Sequence, residues 1–270
     1  MADPYIFSLG KQTAARMTNP LESLIQMTRV LGEPALDYVI IGEGNTSMRI
    51  DNESFLVKAS GHQMQGIDEA GFVAVRFAPM LAMLDDPPAT LSQQKAITQA
   101  AKVDPADARS PSIEVSFHAM LLHECGVTTV GHTHPTAINQ VMCSEFAADF
   151  ALERRFPDEV VLCGPQSALV PYADPGLPLA LVMRERVRAY LAEYGEAPKL
   201  ILLENHGLIA LGDTAAEILK ITAMAVKAAR IYLGALLTGA PTRLPADEIQ
   251  HLYRRPDEIY RRQLFVDGKA

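Results

Sequence analysis

The chain has 270 residues, 49% hydrophobic and 21% charged, which is the balance of a folded globular protein and excludes a disordered or fibrous one. Its formal net charge of −8, with no long run of Lys or Arg, argues against nucleic acid as a partner. Three cysteines without CxxC spacing argue against both a disulfide framework and a Cys-rich zinc site, and they fit a reducing cytoplasm.

Residues 1–17, MADPYIFSLGKQTAARM, lack the basic and apolar segments and the cleavage site of a leader. No apolar run reaches the roughly 18 residues of a membrane span, so the expectation is a protein neither exported nor membrane-bound. Over 19–31 an Asn cap, a Pro at the first helical position and apolar residues at helical spacing predict a helix ending at Gly32. Residues 39–41, 46–50 and 55–57 read as short strands, with Asp51 and Asn52 in a turn, giving a β-meander. GFVAVRFAPMLAMLD passes from strand to helix, and the polar, Pro-containing stretch 85–112 reads as the most loop-like part of the interior. A helix over 112–124 precedes a strand at 127–130; further helices are expected at 137–143, at 178–194 before Gly195, and at 214–237. KLILLENHGLIALG reads as two strands meeting at Glu204–Gly207. The order predicts a sheet covered by helices on both sides, as one domain over 1–245. A mixed-charge C-terminal tail follows over 246–270, its charges serving solubility or a subunit contact. The Met-containing helix over 218–237 reads as core or subunit interface.

Residues 129–137, TVGHTHPTA, place His132 and His134 one residue apart directly after the strand, so both imidazoles point the same way. In isolation the pair reads equally as ordinary polar residues at a strand end. His206 lies at a turn between two apolar runs, where functional side chains collect. Three imidazoles would leave coordination open, the pattern of a catalytic rather than a structural metal site. Glu114, in SPSIEVSFH, stands at a helix start, where a carboxylate gains from the helix dipole whether or not it has a chemical role. A functional Glu there would move a proton next to a carbonyl. His118 shares its helical face and reads as a packing histidine rather than a fourth ligand. GEGNTS alone reads as a hairpin turn; it lacks the Lys and spacing of a P-loop and is not a dinucleotide fingerprint.

Taken in order, GEGNTSMRI, FLVKASG, RSPSIEVSFHAMLLHECGVTTVGHTHP and LILLENHGLIALG resemble the class II aldolase and adducin family, which contains L-fuculose-phosphate and rhamnulose-phosphate aldolases. The resemblance implies a three-layer α/β/α sandwich with a mixed, largely antiparallel central sheet, assembled as a homotetramer. It implies His132, His134 and His206 as ligands of a divalent metal, commonly Zn2+, with Mn2+ or Co2+ as the other candidates, and Glu114 as acid/base. Gly44, Asn45, Ser47, Ser60, Gly61 and Ser112 match the loops that hold the substrate phosphate. Two positions depart from the family pattern. Ile113 replaces the second hydroxyl of a P-S-S-E motif, and Lys58 stands where many relatives carry a Thr-Pro turn; it would supply charge for an anionic substrate, or as a strand residue reads equally as a solvent-facing side chain.

The function so implied is metal-dependent reversible cleavage of a ketose phosphate to dihydroxyacetone phosphate and an aldehyde, a carbon–carbon lyase reaction. The same metal-assisted enolate logic would serve a decarboxylase, dehydratase or epimerase acting on a sugar phosphate or sugar acid, and Ile113 keeps those open. Epimerase relatives tend to carry Asp where this chain has Glu114. A non-catalytic adducin-like scaffold is a third alternative, against which stand the three histidines and the acid. Tyr253 and Tyr260 of the tail are available as proton donors to a leaving aldehyde, but no motif selects either.

Overall fold

The structure is a computed structural model that describes residues 19–266. The N-terminal stretch read above for a leader and residues 267–270 lie outside the described residues. Helix α1 (Pro20–Leu31) begins where the Asn19 side chain accepts from the Leu21 amide at 3.1 Å, with Pro20 in the first turn. Strands β1 (Asn45–Arg49) and β2 (Ser54–Lys58) are joined by a turn in which Asp51 Oδ1 accepts from the amides of Glu53 and Ser54, both at 2.8 Å. There follow β3 (Phe72–Arg76), α2 (Phe77–Asp85), α3 (Leu91–Ala100), α4 (Val115–Glu124), β4 (Thr129–Thr133), α5 (Thr136–Met142), α6 (Ala147–Leu152) and α7 (Pro157–Cys163). The chain then runs through β5 (Ala168–Val170), α8 (Leu177–Tyr194), β6 (Leu200–Leu203), β7 (Gly207–Gly212), α9 (Ala215–Thr238), α10 (Ala246–Arg254) and α11 (Pro256–Val266).

The strands form one sheet in the order β3-β2-β1-β4-β7-β6-β5, antiparallel at every step except β5 with β6. Leu200, Leu202, Leu208 and Ala210 point into one apolar layer with α1, α5 and α9, while Ile201, Leu203, Ile209 and Leu211 point into the other with α2, α4 and α8. The expected three-layer α/β/α sandwich is therefore present, its sheet mixed and largely antiparallel. Covering both faces explains why the sequence around the β6–β7 turn is apolar at successive positions rather than alternating. Helix α9 is long and apolar enough to cross a bilayer, yet its Ile218, Ile221, Ala225 and Tyr232 are buried against the sheet and its neighbouring helices.

Three expectations need correction. Residues 39–41 form no strand: β1 is already paired on both sides by β2 and β4, and the chain must turn, with Ile41 at φ 52°, to bring Asn45 opposite His132. Ile40 and Ile41 are left 61% and 78% exposed. The stretch read as loop contains α3, started by a reciprocal cap in which Gln93 N donates to Thr90 Oγ1 and Thr90 N donates to Gln93 Oε1. No residue of α3 is buried, so hydrophobic spacing could not announce it. Helix α4 begins at Val115, three residues later than expected, with Glu114 at its N-cap.

The sheet's β3 edge is covered by the chain beyond α3. Val103 N donates to Ala74 O at 2.9 Å, Arg76 N to Ala101 O at 2.8 Å, and the Arg76 guanidinium to the carbonyls of Lys102 and Val103. Beyond α9, 20 of the last 21 described residues are helical: Ile249 and Tyr253 of α10 are buried with Val160, and Arg261 of α11 bonds Asp158 at 2.8 Å. Thr214, just past β7, donates to the Val266 carbonyl, which puts these helices near the end of the sheet where β7 finishes. The histidines lie at the end where β7 begins, about 17 Å away at ~3.4 Å per strand residue. Within one chain, Tyr253 is thus buried far from them, and Tyr260 is exposed.

Candidate metal centre

Asn45 starts β1, Lys58 ends β2, His132 lies near the end of β4, and His206 precedes β7, so neighbouring antiparallel strands bring these residues to one end of the sheet. His132 is fully buried; its Nδ1 donates to the Leu208 carbonyl on β7 at 2.8 Å, leaving Nε2 as the nitrogen that carries the lone pair. His134 leaves the strand with its amide on Tyr38 O, and its Nε2 lies 2.9 Å from His132 Nε2. His206 is set by the β6–β7 turn, in which Asn205 takes φ 54° and its amide bonds Met142 O. The three rings stand 4.7–4.9 Å apart, centroid to centroid, and their nearest nitrogens all fall within 4.8 Å of one another.

Two glycines make this convergence sterically possible. Gly44 has φ +68°, and a Cβ there would stand 2.8 Å from the His132 carbonyl oxygen. At Gly207 a Cβ would meet Thr133 O at 2.5 Å and His134 Cδ2 at 2.8 Å. The N-H-G turn therefore uses its glycine to admit the second histidine's ring.

Electrostatics favour neutral imidazoles. Burial, followed by the positive charge His206 would carry, pushes His132 down to about 3; burial, then His132 and His206, pushes His134 down to about 2. His206 is also lowered by burial, against the pull of the Glu114 carboxylate. Neutral imidazoles are the form that binds a cation.

Glu114 is 5% exposed, and burial raises its pKa against the opposing hydrogen bond from Asn45 and the charges of His206 and Lys58. Its Oε2 accepts from Asn45 Nδ2 at 2.7 Å and lies 3.6 Å from His132 Nε2. Its Oε1 lies 3.7 Å from His206 Nε2 and has no hydrogen-bond partner among the described residues. A buried carboxylate oxygen without a donor among the described residues, beside three converging imidazole nitrogens, fits a cation held by His132, His134 and His206. Asn45 is itself held from behind: its Oδ1 accepts from His118 Nε2, and His118 Nδ1 accepts from Ser47 Oγ at 2.7 Å. His118, fully buried with its pKa well below the usual value because of burial, is thus a neutral relay that orients Asn45 and not a ligand.

Residues 22–233 match the family described as the Class II Aldolase and Adducin N-terminal domain. The chain belongs to the class II aldolase and adducin family. An L-fuculose 1-phosphate aldolase structure aligns over 89% of this chain and 97% of its own, with 17% identity and a TM-score of 0.66. The N-terminal class II aldolase domain of a Thermoplasma acidophilum protein aligns over 83% and 98%, with 24% identity and a TM-score of 0.65. YgbL of Klebsiella pneumoniae, named as a candidate aldolase/epimerase/decarboxylase, aligns over 88% and 100%, with 20% identity and a TM-score of 0.63. The Bacillus subtilis (strain 168) protein named uncharacterized oxidoreductase YuxG is 25% identical over 232 residues, which are 82% of this chain and 31% of that protein. The chain thus spans under a third of that curated relative.

Class II aldolases use a divalent metal, and here a three-histidine cluster stands where one fits. Of the positions matched to phosphate loops, Asn45 and Ser112 come together at Glu114, with Asn45 Nδ2 also donating to Ser112 Oγ at 3.2 Å. The exposed pair Ser60–Gly61 runs alongside, its Ser60 amide on Ser110 O at 2.8 Å. The Ser47 hydroxyl is engaged by His118, and Gly44 lies behind His132.

Lys58, which the sequence left open between a charge for an anionic substrate and a solvent-facing strand residue, is 3% exposed, because the chain after Pro111 lies against the end of β2. One residue went unrecognised in the sequence. Glu43 Oε1 stands 3.9 Å from His134 Nδ1, and its other oxygen accepts from Ile40 N; no spacing rule marks that pairing. A carboxylate on the outer nitrogen of a metal-ligating imidazole fixes ring orientation and raises basicity. Glu43→Gln is therefore expected to weaken zinc binding roughly tenfold, measured by competition with a chromophoric chelator, while the melting temperature of the metal-free protein stays unchanged.

Proposed function

We propose that the protein is a metal-dependent aldolase that reversibly cleaves a ketose phosphate to dihydroxyacetone phosphate and an aldehyde, with Glu114 as its acid/base. The observation that carries this reading is the Glu114 carboxylate: buried, fixed through one oxygen by Asn45, and presenting the unpartnered oxygen beside three convergent histidines. A divalent cation on His132, His134 and His206, of which zinc, manganese and cobalt suit three imidazoles, would supply Lewis acidity toward the carbonyl and hydroxyl oxygens of a sugar.

The remaining work belongs to the chain's own side chains. Glu114 moves the proton at the carbon next to the carbonyl; its raised pKa makes it a stronger base than an exposed carboxylate. Asn45, oriented by His118 and Ser47, keeps that carboxylate from rotating away, which preserves the alignment that proton transfer needs. Ser112 and Ser60 offer hydroxyls and Gly61 a main-chain amide to the anionic end of the substrate, and Gly61, at φ +82°, has open space where a Cβ would lie. A lysine Schiff base is not required in this scheme. The assembly proposed is a homotetramer, to be read from light scattering.

One observation favours a second reading. Ile113, next to Glu114, is 69% exposed and offers no hydroxyl to a phosphate, which suits a sugar acid substrate undergoing decarboxylation, dehydration or epimerisation. The deciding experiment is proton NMR of dihydroxyacetone phosphate in deuterated buffer with zinc-loaded protein. Stereospecific loss of one hydroxymethyl proton signal, abolished by chelation, is expected; absence of exchange from protein that holds stoichiometric metal would overturn the aldolase reading in favour of the second.

A further inference from the structure

Among the described residues, three other than glycine take a left-handed backbone: Asp37, Ile41 and Asn205. Asp37 closes the short 3-10 turn Pro34–Leu36 and Asn205 shapes the β6–β7 turn, and Asp and Asn are the side chains that accept this conformation most readily. Ile41 differs. At φ 52° its β-branched side chain crowds its own backbone, and with 78% of the residue exposed, packing does little to offset the cost. An outlier of that kind persists where its surroundings force it.

Here the surroundings are the two histidines of the H-x-H pair. Before the turn, Tyr38 O accepts from His134 N at 2.9 Å; after it, Asn45 stands opposite His132 in the β1–β4 ladder. Between these anchors the chain reverses in a turn closed from both sides, Glu43 N donating to Ile40 O and Ile40 N to Glu43 Oε2, both at 3.0 Å. The other oxygen of that carboxylate, Oε1, stands 3.9 Å from His134 Nδ1, while His134 Nε2 lies beside His132 Nε2. The strained turn thus holds a carboxylate behind a candidate ligand. Were Ile41 to relax to its preferred extended backbone, the turn would open and withdraw Glu43.

We propose that the Ile40–Glu43 turn is a strained latch on the candidate metal centre, with Ile41 as its positioning residue: closed, it keeps Glu43 on His134 and retains the cation; open, it lets the cation leave. The inference rests on the reading of His132, His134 and His206 as a metal site, but not on which reaction runs there. Two tendencies oppose each other in the latch. The Glu43 contacts favour closure and the Ile41 backbone favours opening, so the closed form is held by a smaller margin than a glycine at this position would give. The turn thereby governs how fast a bound cation exchanges, separately from how the three imidazoles bind it.

The test follows release of zinc from the loaded protein into excess chromophoric chelator, with melting temperatures of the metal-free proteins recorded alongside. Ile41→Gly, which removes the backbone penalty, is expected to release zinc roughly five- to thirtyfold more slowly than the wild type. Ile41→Pro, whose ring fixes φ near ~−65° and so holds the turn open, is expected to release it roughly tenfold faster, as loss of a carboxylate behind a ligand does. In a Glu43→Ala background there is no carboxylate to latch, and both substitutions are expected to change the rate by less than about twofold. Metal-free Ile41→Gly is expected to melt at or above the wild-type temperature, because a left-handed residue without a Cβ carries no strain. Equal release from wild type and Ile41→Gly, effects of position 41 that persist without Glu43, or a glycine variant that melts well below the wild type would each overturn the latch. Failure of the wild type to retain zinc removes the metal site and the latch together. Release that depends on Ile41, without exchange of dihydroxyacetone phosphate protons, leaves the latch standing and removes the aldolase.

Discussion

Glu114→Gln should hold its metal as the wild type does and lose proton exchange on dihydroxyacetone phosphate by roughly 10²–10⁴-fold, the usual contribution of a positioned acid/base. The substitution keeps the shape of the side chain, and its amide oxygen can still accept from Asn45 Nδ2, which bonds the carboxylate at 2.7 Å. What it removes is the capacity to take up a proton at the oxygen that has no hydrogen-bond partner. The measurement is the exchange rate by NMR on samples whose zinc content is matched by elemental analysis. A variant within tenfold of the wild type would assign the proton transfer elsewhere. Asn45→Ala then serves as the comparison: it leaves the carboxylate intact but unanchored, so a smaller loss, confined to the rate and not to metal content, is expected.

Removing one imidazole should act on a different quantity. A zinc site of biological affinity stores roughly 10 kcal/mol or more, so each of three ligands carries about 3 kcal/mol, a factor of roughly 200 in affinity. His134→Ala is the cleanest removal, because His134 is partly exposed and its ring makes no hydrogen bond to the main chain of the described residues, whereas His132 is fully buried and ties β4 to β7 through Leu208. The consequence extends to stability. A metal present at a thousand times its dissociation constant adds about 4 kcal/mol to the folded state, or roughly 10 °C in melting temperature for a chain of this size. A chelator should therefore lower the melting temperature of the wild type by that amount and that of His134→Ala, whose metal then stands at only about five times its dissociation constant, by about a quarter as much. An equal drop in both proteins would place the cation on other groups.

The parts of the molecule that the sequence makes legible are those governed by local rules. Asn19-Pro20 opens α1 and Gly195, at φ 71°, closes α8 where the caps predict, and the H-x-H at the end of β4 projects both rings toward His206 as a period of two requires. What is illegible depends on which segment lies against which. The apolar 39–41 has the composition of a strand but no free strand to pair with. Helix α3 has no buried face to create a periodic pattern, although its Thr90-x-x-Gln93 spacing is a cap signal that could have revealed it. The His118–Asn45 relay spans 73 positions and the burial of Lys58 depends on the chain near Pro111, so neither follows from nearest neighbours in sequence.

The strap formed by residues 101–103 has a bearing on how the protein behaves in concentrated solution. A sheet of seven strands ends in two rows of main-chain donors and acceptors, each able to recruit a strand from another molecule and begin an aggregate. On the β3 side that row is occupied by the chain itself, through Ala101 and Val103, and the Arg76 guanidinium ties down the carbonyls of Lys102 and Val103. On the other side β5 is only three residues long, too short to template an extended partner. With one edge covered and the other truncated, the sheet can stay apolar on both faces without becoming a seed for intermolecular β-structure.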